Sequence, residues 1–121
     1  MEGFIEIPGA GELKTGQMKA YRAGNKEILL ARLGNDYYAA DKYCPHMGGT
    51  LSDGKLDGTI VTCPRHHSRF DLKDGRVVRW TDWSGFKLAL AKMFKAPRPL
   101  QVYPTKVEEG RVYVNTGAAY S

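Results

Sequence analysis

"CPHMGGTLSDGKLDGTIVTCPRHH", residues 44–67, holds both cysteines and all three histidines of a 121-residue chain. The spacings are Cys44-x-His46, then 16 residues, then Cys63-x-x-His66, with His67 directly behind. Each half offers one thiolate and one imidazole. A structural zinc site takes two Cys and two His around a single ion, but its ligand pairs usually stand about two to four residues apart. The one-residue gap of Cys44-x-His46 makes convergence on one ion awkward. A Cys–His nucleophilic pair needs one activated thiolate and leaves the second Cys and His without a role. Two bridged metal ions meet both objections, because each loop can give its Cys to one ion and its His to the other.

Outward from this stretch, the chain reads as short strands punctuated by turns. "FIEI", "QMKAYRA", "KEILLARL", "DYYAAD" and "GTIVTC" are separated by Gly9-Ala10-Gly11, Gly24-Asn25, Gly34-Asn35 and Asp57-Gly58, several of which supply the positive φ of tight hairpins. "RFDLKDGRVVRW" reads as two strands around Asp74-Gly75, and "LQVYPTKVEEGRVYVNT" as two more around Glu109-Gly110. Regular spacing of this kind predicts an all-β chain, an antiparallel β sandwich or barrel. One segment breaks the pattern. In "TDWSGFKLALAKMFKAPRP", helical spacing puts Phe86, Ala89, Leu90, Met93 and Phe94 on one face and Lys87, Lys92 and Lys95 opposite, with Ser84 or Asp82 as N-cap and Pro97 as stop. One short amphipathic helix near 84–95 is expected, either a lid burying its apolar face on the sandwich or a docking face for a partner.

The bulk numbers fit one domain over residues 1–121 with a core of its own: 42% hydrophobic, 11% aromatic. No run approaches the roughly 18 apolar residues of a membrane span, and the start "MEGFIEIPGAGELKTG" lacks the basic and apolar regions of a signal peptide. A cytoplasmic protein is expected. Two cysteines are too few for a disulfide scaffold and, in a reducing compartment, point to metal. The net charge of +5 favours acidic partners. Nucleic acid is not among the expected ones, since Lys and Arg are scattered and no binding motif accompanies them.

The paired motif resembles that of the Rieske iron–sulfur proteins, whose pattern is C-x-H, a spacer of about 16 residues, and C-x-x-H. "CPHMGGTL" is similar to the family's first cluster loop and "CPRHHSRFD" to its second, while "DGRVV", a Pro-Leu and the strand "VEEGRVYV" resemble the closing part of the domain. The resemblance implies a Rieske-type antiparallel sandwich with two cluster-binding loops. It assigns Cys44 and Cys63 to one iron of a [2Fe-2S] cluster, one per chain, and His46 and His66 to the other. Two ferric ions, two sulfides and two thiolates sum to zero charge, so such a cluster accepts an electron more readily than an all-cysteine one. The outward edge of His46 and His66 is then the electron port. Pro45 and Pro64 stiffen the loops, Gly48 and Gly49 let backbone amides approach sulfur, and Ser68 matches a position whose hydroxyl donates to the cluster.

Departures from the family pattern narrow the reading. High-potential, membrane-anchored members carry an extra Cys in each loop, where this chain has Gly49 and Arg65. They also carry a donating Tyr where this chain has Phe70, and fewer donors mean a lower potential. His67 stands where most relatives have Gly; it reads as a solvent-facing side chain, or else as a titratable group at the electron port beside Arg65. The resemblance therefore implies a non-catalytic electron carrier, a soluble ferredoxin passing single electrons from a reductase to an oxygenase or related enzyme. Alternatives are a small Rieske subunit of a larger oxidoreductase, similar to those of nitrite reductase or arsenite oxidase, and a zinc-stabilised binding module.

Overall fold

A computed structural model of the chain describes residues 3–44, 49–64, 67–79 and 99–117. The expected helix near 84–95 lies outside the described residues. Among the described residues eleven strands follow in chain order: β1 Ile5–Glu6, β2 Met18–Ala23, β3 Lys26–Leu33, β4 Asp36–Asp41, β5 Lys55–Asp57, β6 Ile60–Thr62, β7 Arg69–Asp71, β8 Val77–Arg79, β9 Val102–Tyr103, β10 Thr105–Glu108 and β11 Arg111–Val114. They form three antiparallel sheets, ordered β1-β11-β10, β2-β3-β4-β9 and β5-β6-β7-β8.

The middle sheet explains the composition of β3. Its centre reads Ile28-Leu29-Leu30-Ala31, four consecutive buried residues, where a one-sided strand would alternate with polar side chains. Leu29 and Ala31 point into one core with Leu51, Val61, Phe70, Leu72 and Leu100. Ile28 and Leu30 point into the other, with Ile7, Leu13, Val112 and Val114. β4 does the same with small residues: Ala39 serves the second core and Ala40 the first. The expected all-β antiparallel architecture is present, built as a sheet with a layer on each face.

Turn chemistry accounts for the register. Two-residue loops at Gly24-Asn25 and Gly34-Asn35 put only the glycine at positive φ, the requirement of a hairpin turn with Gly at its first central position. Glu109 and Gly110 are both left-handed, at φ 52 and φ 77, so β10 and β11 are joined by the other favoured hairpin turn. β5 was not expected: Lys55-Leu56-Asp57 contains one apolar residue and gains its strand state from β6. The stretch read as one strand before Glu109 is two, because Val102–Tyr103 pairs with β4 whereas Thr105–Glu108 pairs with β11, with Pro104 at the crossing.

The β7–β8 connection is organised by Asp71, which is buried. Its carboxylate accepts the Lys73 amide at 3.0 Å and the Arg76 guanidinium at 3.3 Å, and its main-chain carbonyl accepts the Gly75 amide at 2.7 Å. Burial alone would raise the Asp71 pKa; the Lys73 amide, the Thr59 hydroxyl and Arg76 outweigh it, and the carboxyl is held below its ordinary value. Gly75 sits at φ 80 with the Leu100 carbonyl oxygen 2.0 Å from where a Cβ would stand. That closeness lets the Leu100 amide bond back to the Gly75 carbonyl at 2.8 Å.

Two outcomes follow for stability. Gly75→Ala should cost about 2–4 kcal/mol from left-handed strain plus overpacking, whereas Gly58→Ala, also at positive φ but with no atom within 4 Å, should cost about 1 kcal/mol; equal costs in urea unfolding would contradict the packing account. Asp71→Asn should cost about 2 kcal/mol at pH 7 through lost charge-assisted bonds. Because the folded carboxyl titrates below 3.8, its contribution is full above the unfolded value and fades as pH falls through the folded one. The gap between wild type and Asp71→Asn should therefore narrow only in strong acid.

Candidate metal centre

β4 runs directly into the first ligand loop. Beyond Asp41 the chain stays ladder-like for three more rungs: the Leu51 amide donates to the Lys42 carbonyl at 2.8 Å, Tyr43 pairs with Thr50, and the Cys44 amide donates to the Gly49 carbonyl at 2.7 Å. The second loop is closed the same way. Thr62 is in register with Arg69, and the Cys63 amide donates to the Ser68 carbonyl at 2.8 Å. In both loops the first residue above the neck is a cysteine whose N–H reaches a carbonyl five residues on. A further bond, from the His67 amide to the Cys63 carbonyl at 3.1 Å, tightens the second loop.

The two cysteines belong to one core. Cys44 is 3% exposed and Cys63 2%, and both pack with Leu51, Val61, Phe70 and Leu72. No disulfide joins them. Two soft donors thus reach one buried, apolar place from separate hairpins. Leaving thiolates there unpaired would be costly, whereas metal binding compensates the charge and displaces the protons. The donor set and its burial fit a thiolate-ligated iron–sulfur group. His46 and His66 lie within the two loops in sequence and outside the described residues, as do Pro45, Gly48 and Arg65.

Around the necks, several supports have no signature in the sequence. Glu27 of β3 accepts the Tyr43 hydroxyl at 3.0 Å and the Lys42 ammonium at 3.4 Å. Tyr43's hydroxyl bond, then Lys42, hold the Glu27 carboxyl below its ordinary pKa. Asp41 accepts the Tyr103 hydroxyl from β9 and stands 3.7 Å from Lys26, and burial followed by Asp41 raises the Tyr103 pKa. The residues that lead into Cys44 are tied in this way to β3 and β9. These partners are 15 to 62 residues apart in the chain, so no local pattern announces them.

The residues that set the site apart are partly visible. Phe70 is fully buried, on the core side of β7 opposite Val61 and Val77, and carries no hydroxyl to donate. Ser68 is fully buried as well. Gly49, buried, receives the Cys44 amide through its carbonyl. His67 is exposed, with φ at 60: the left-handed pose that explains why glycine suits this position and why His departs from the pattern. Its exposure agrees with a solvent-facing side chain.

The family model of the Rieske [2Fe-2S] domain matches residues 4–104. The chain is 28% identical over 114 residues to the ferredoxin component of the naphthalene 1,2-dioxygenase system of Pseudomonas aeruginosa, covering 94% of this chain and 96% of that one. Among solved structures, the ferredoxin of carbazole 1,9a-dioxygenase from Nocardioides aromaticivorans IC177 shares the fold with a TM-score of 0.75 at 21% identity, over 93% of this chain and 97% of that one. A chain in the complex of reduced oxygenase and oxidized ferredoxin of carbazole 1,9a-dioxygenase matches with a TM-score of 0.72 and 26% identity, over 95% and 94% of the two chains. With two closed cysteine loops meeting in one core and a family match across most of its length, the chain belongs to the Rieske [2Fe-2S] domain family.

Proposed function

We propose that the chain is a one-electron carrier that accepts electrons from a reductase and delivers them to a terminal oxygenase, with Cys44 and Cys63 on one iron of its [2Fe-2S] cluster and His46 and His66 on the other. The observation that carries this reading is the meeting of Cys44 and Cys63, from two loops of like construction, in one buried core. Similarity to ferredoxin components over nearly the whole chain supports the assignment of partners. When bound, the cluster supplies reversible one-electron chemistry. The protein's own residues do the rest. The cysteine backbones are fixed at the hairpin necks, and Leu51, Val61 and Phe70 keep water from the sulfur side.

The whole of residues 1–121 is read as one domain. β11 lies beyond the matched stretch 4–104 yet pairs with β1 at the other end of the chain, which supports that reading. No described helix is long and apolar enough to cross a membrane. We place the carrier in the cytoplasm, where reducing conditions keep cysteines out of disulfides and so available for iron.

Purified protein should carry two irons and two acid-labile sulfides per chain and show a Rieske-type EPR signal when reduced. Cys63→Ser, His46→Ala and His66→Ala should each lose that signal while His67→Ala keeps it; a colourless chain holding one zinc would overturn the reading. With Phe70 unable to donate, the midpoint potential should fall in the lower half of the roughly −150 to +300 mV Rieske range. Phe70→Tyr should raise it by about 40 mV, the equivalent of one added hydrogen bond of about 1 kcal/mol to the reduced state. Protein-film voltammetry of the pair measures both, and an unchanged or lowered midpoint would remove the hydrogen-bond explanation.

A further inference from the structure

The sheet β5-β6-β7-β8 has an inner face occupied by Leu56, Val61, Phe70 and Val77. Strand alternation therefore turns Lys55, Thr62 and Arg69 outward. These three form one cross-strand row, since Lys55 is in register with Thr62 and Thr62 with Arg69. The two cations thus flank the Thr62 hydroxyl across two strand spacings, about 10 Å. They line the same cleft, about 540 Å³, as Cys63 and His67. Lys26, Lys42, Arg76, Lys106 and Arg111 each have a carboxylate within 4.0 Å. Lys55 and Arg69 have none among the described residues, as is also true of Lys14, Lys19, Arg22, Arg32 and Lys73. Asp53 and Asp57 also line the cleft, one before and one after Lys55 along the chain, so acid borders the cationic centre.

We propose that this row is the contact through which an acidic protein partner docks beside the second ligand loop, with a carboxylate of the partner seated between Lys55 and Arg69 over Thr62. The proposal rests on the carrier reading above. Two unpaired cations bracketing a hydroxyl, next to a cluster ligand, match a carboxylate in charge and in hydrogen-bond capacity. The flanking Asp53 and Asp57 disfavour a partner whose acid is out of register, which makes the row selective as well as attractive. Net charge of +5 steers acidic surfaces toward the molecule, and the row supplies the place where such a surface settles.

The test compares electron transfer from the dithionite-reduced protein to two haem acceptors, acidic cytochrome b5 and basic cytochrome c, by stopped flow at low and high salt. Lys55→Gln with Arg69→Gln should lower the ratio of the acidic to the basic acceptor's rate by about threefold or more at low salt, and the difference should vanish at high salt. Taking the ratio cancels any change in driving force from altered charge near the cluster. Lys106→Gln with Arg111→Gln, the same change of charge on the far sheet, should leave the ratio at its wild-type value. A ratio that does not move in the first variant, or moves equally in both, overturns the docking proposal alone. A chain with no chromophore bleached by dithionite overturns the carrier reading and the docking proposal with it.

Discussion

Two backbone hydrogen bonds, from the Cys44 amide to the Gly49 carbonyl and from the Cys63 amide to the Ser68 carbonyl, are the constraint on which the site depends. Each closes a loop at its neck and fixes a cysteine backbone. A loop tip held only by its metal would have to be ordered on binding, at a cost in conformational entropy for every residue fixed. Here the ladders of β4 and of β6–β7 continue into the loops, so their ordering is part of folding the sheets.

The rest of the fold serves those two necks. The first is braced across strands, by Glu27 of β3 under Lys42 and Tyr43 and by β4's own Asp41 between Tyr103 of β9 and Lys26 of β3. The second is braced by packing. Cys63 continues β6, Phe70 and Leu72 pack beneath, and Gly54 lies so close to the Thr62 carbonyl that a Cβ would stand 1.9 Å from its oxygen. A surface-exposed pair such as Lys42–Glu27 contributes little to stability. Its value is geometric, since it ties the residues just before Cys44 to a strand that is itself buried on both faces.

Much of this was legible in the sequence, and the limits have physical causes. "KEILLARL" and "DYYAAD" have the bounds of β3 and β4 because Gly-Asn pairs mark their ends and the apolar run between them is unambiguous. In the ligand stretch the legible feature was the one-residue gap of Cys44-x-His46, which disfavours a single ion. What local pattern does not carry is partnership. Nothing in "VYPTKVE" says that its two halves join different sheets, and nothing near Asp71 says that a buried carboxylate will organise the turn after it. β5 escaped for the same reason, as a strand made by its neighbour. His46, His66 and the helix near 84–95 lie outside the described residues, so the spacing and the family resemblance remain the grounds for their roles.

The middle sheet, covered on both sides, leaves one consequence. Ala23, Ala31, Ala39 and Ala40 face the two cores from its strands, and a single methyl group is all the thickness they add between backbone and neighbouring layer. They act as shims. The gap between the β5-β6-β7-β8 sheet and the middle one, and the gap on the opposite side, are set by these small side chains as much as by the large ones that fill the remaining space. Enlarging any of them would push a whole layer outward, and with Ala31 or Ala40 the displaced layer would be the one that carries Cys63.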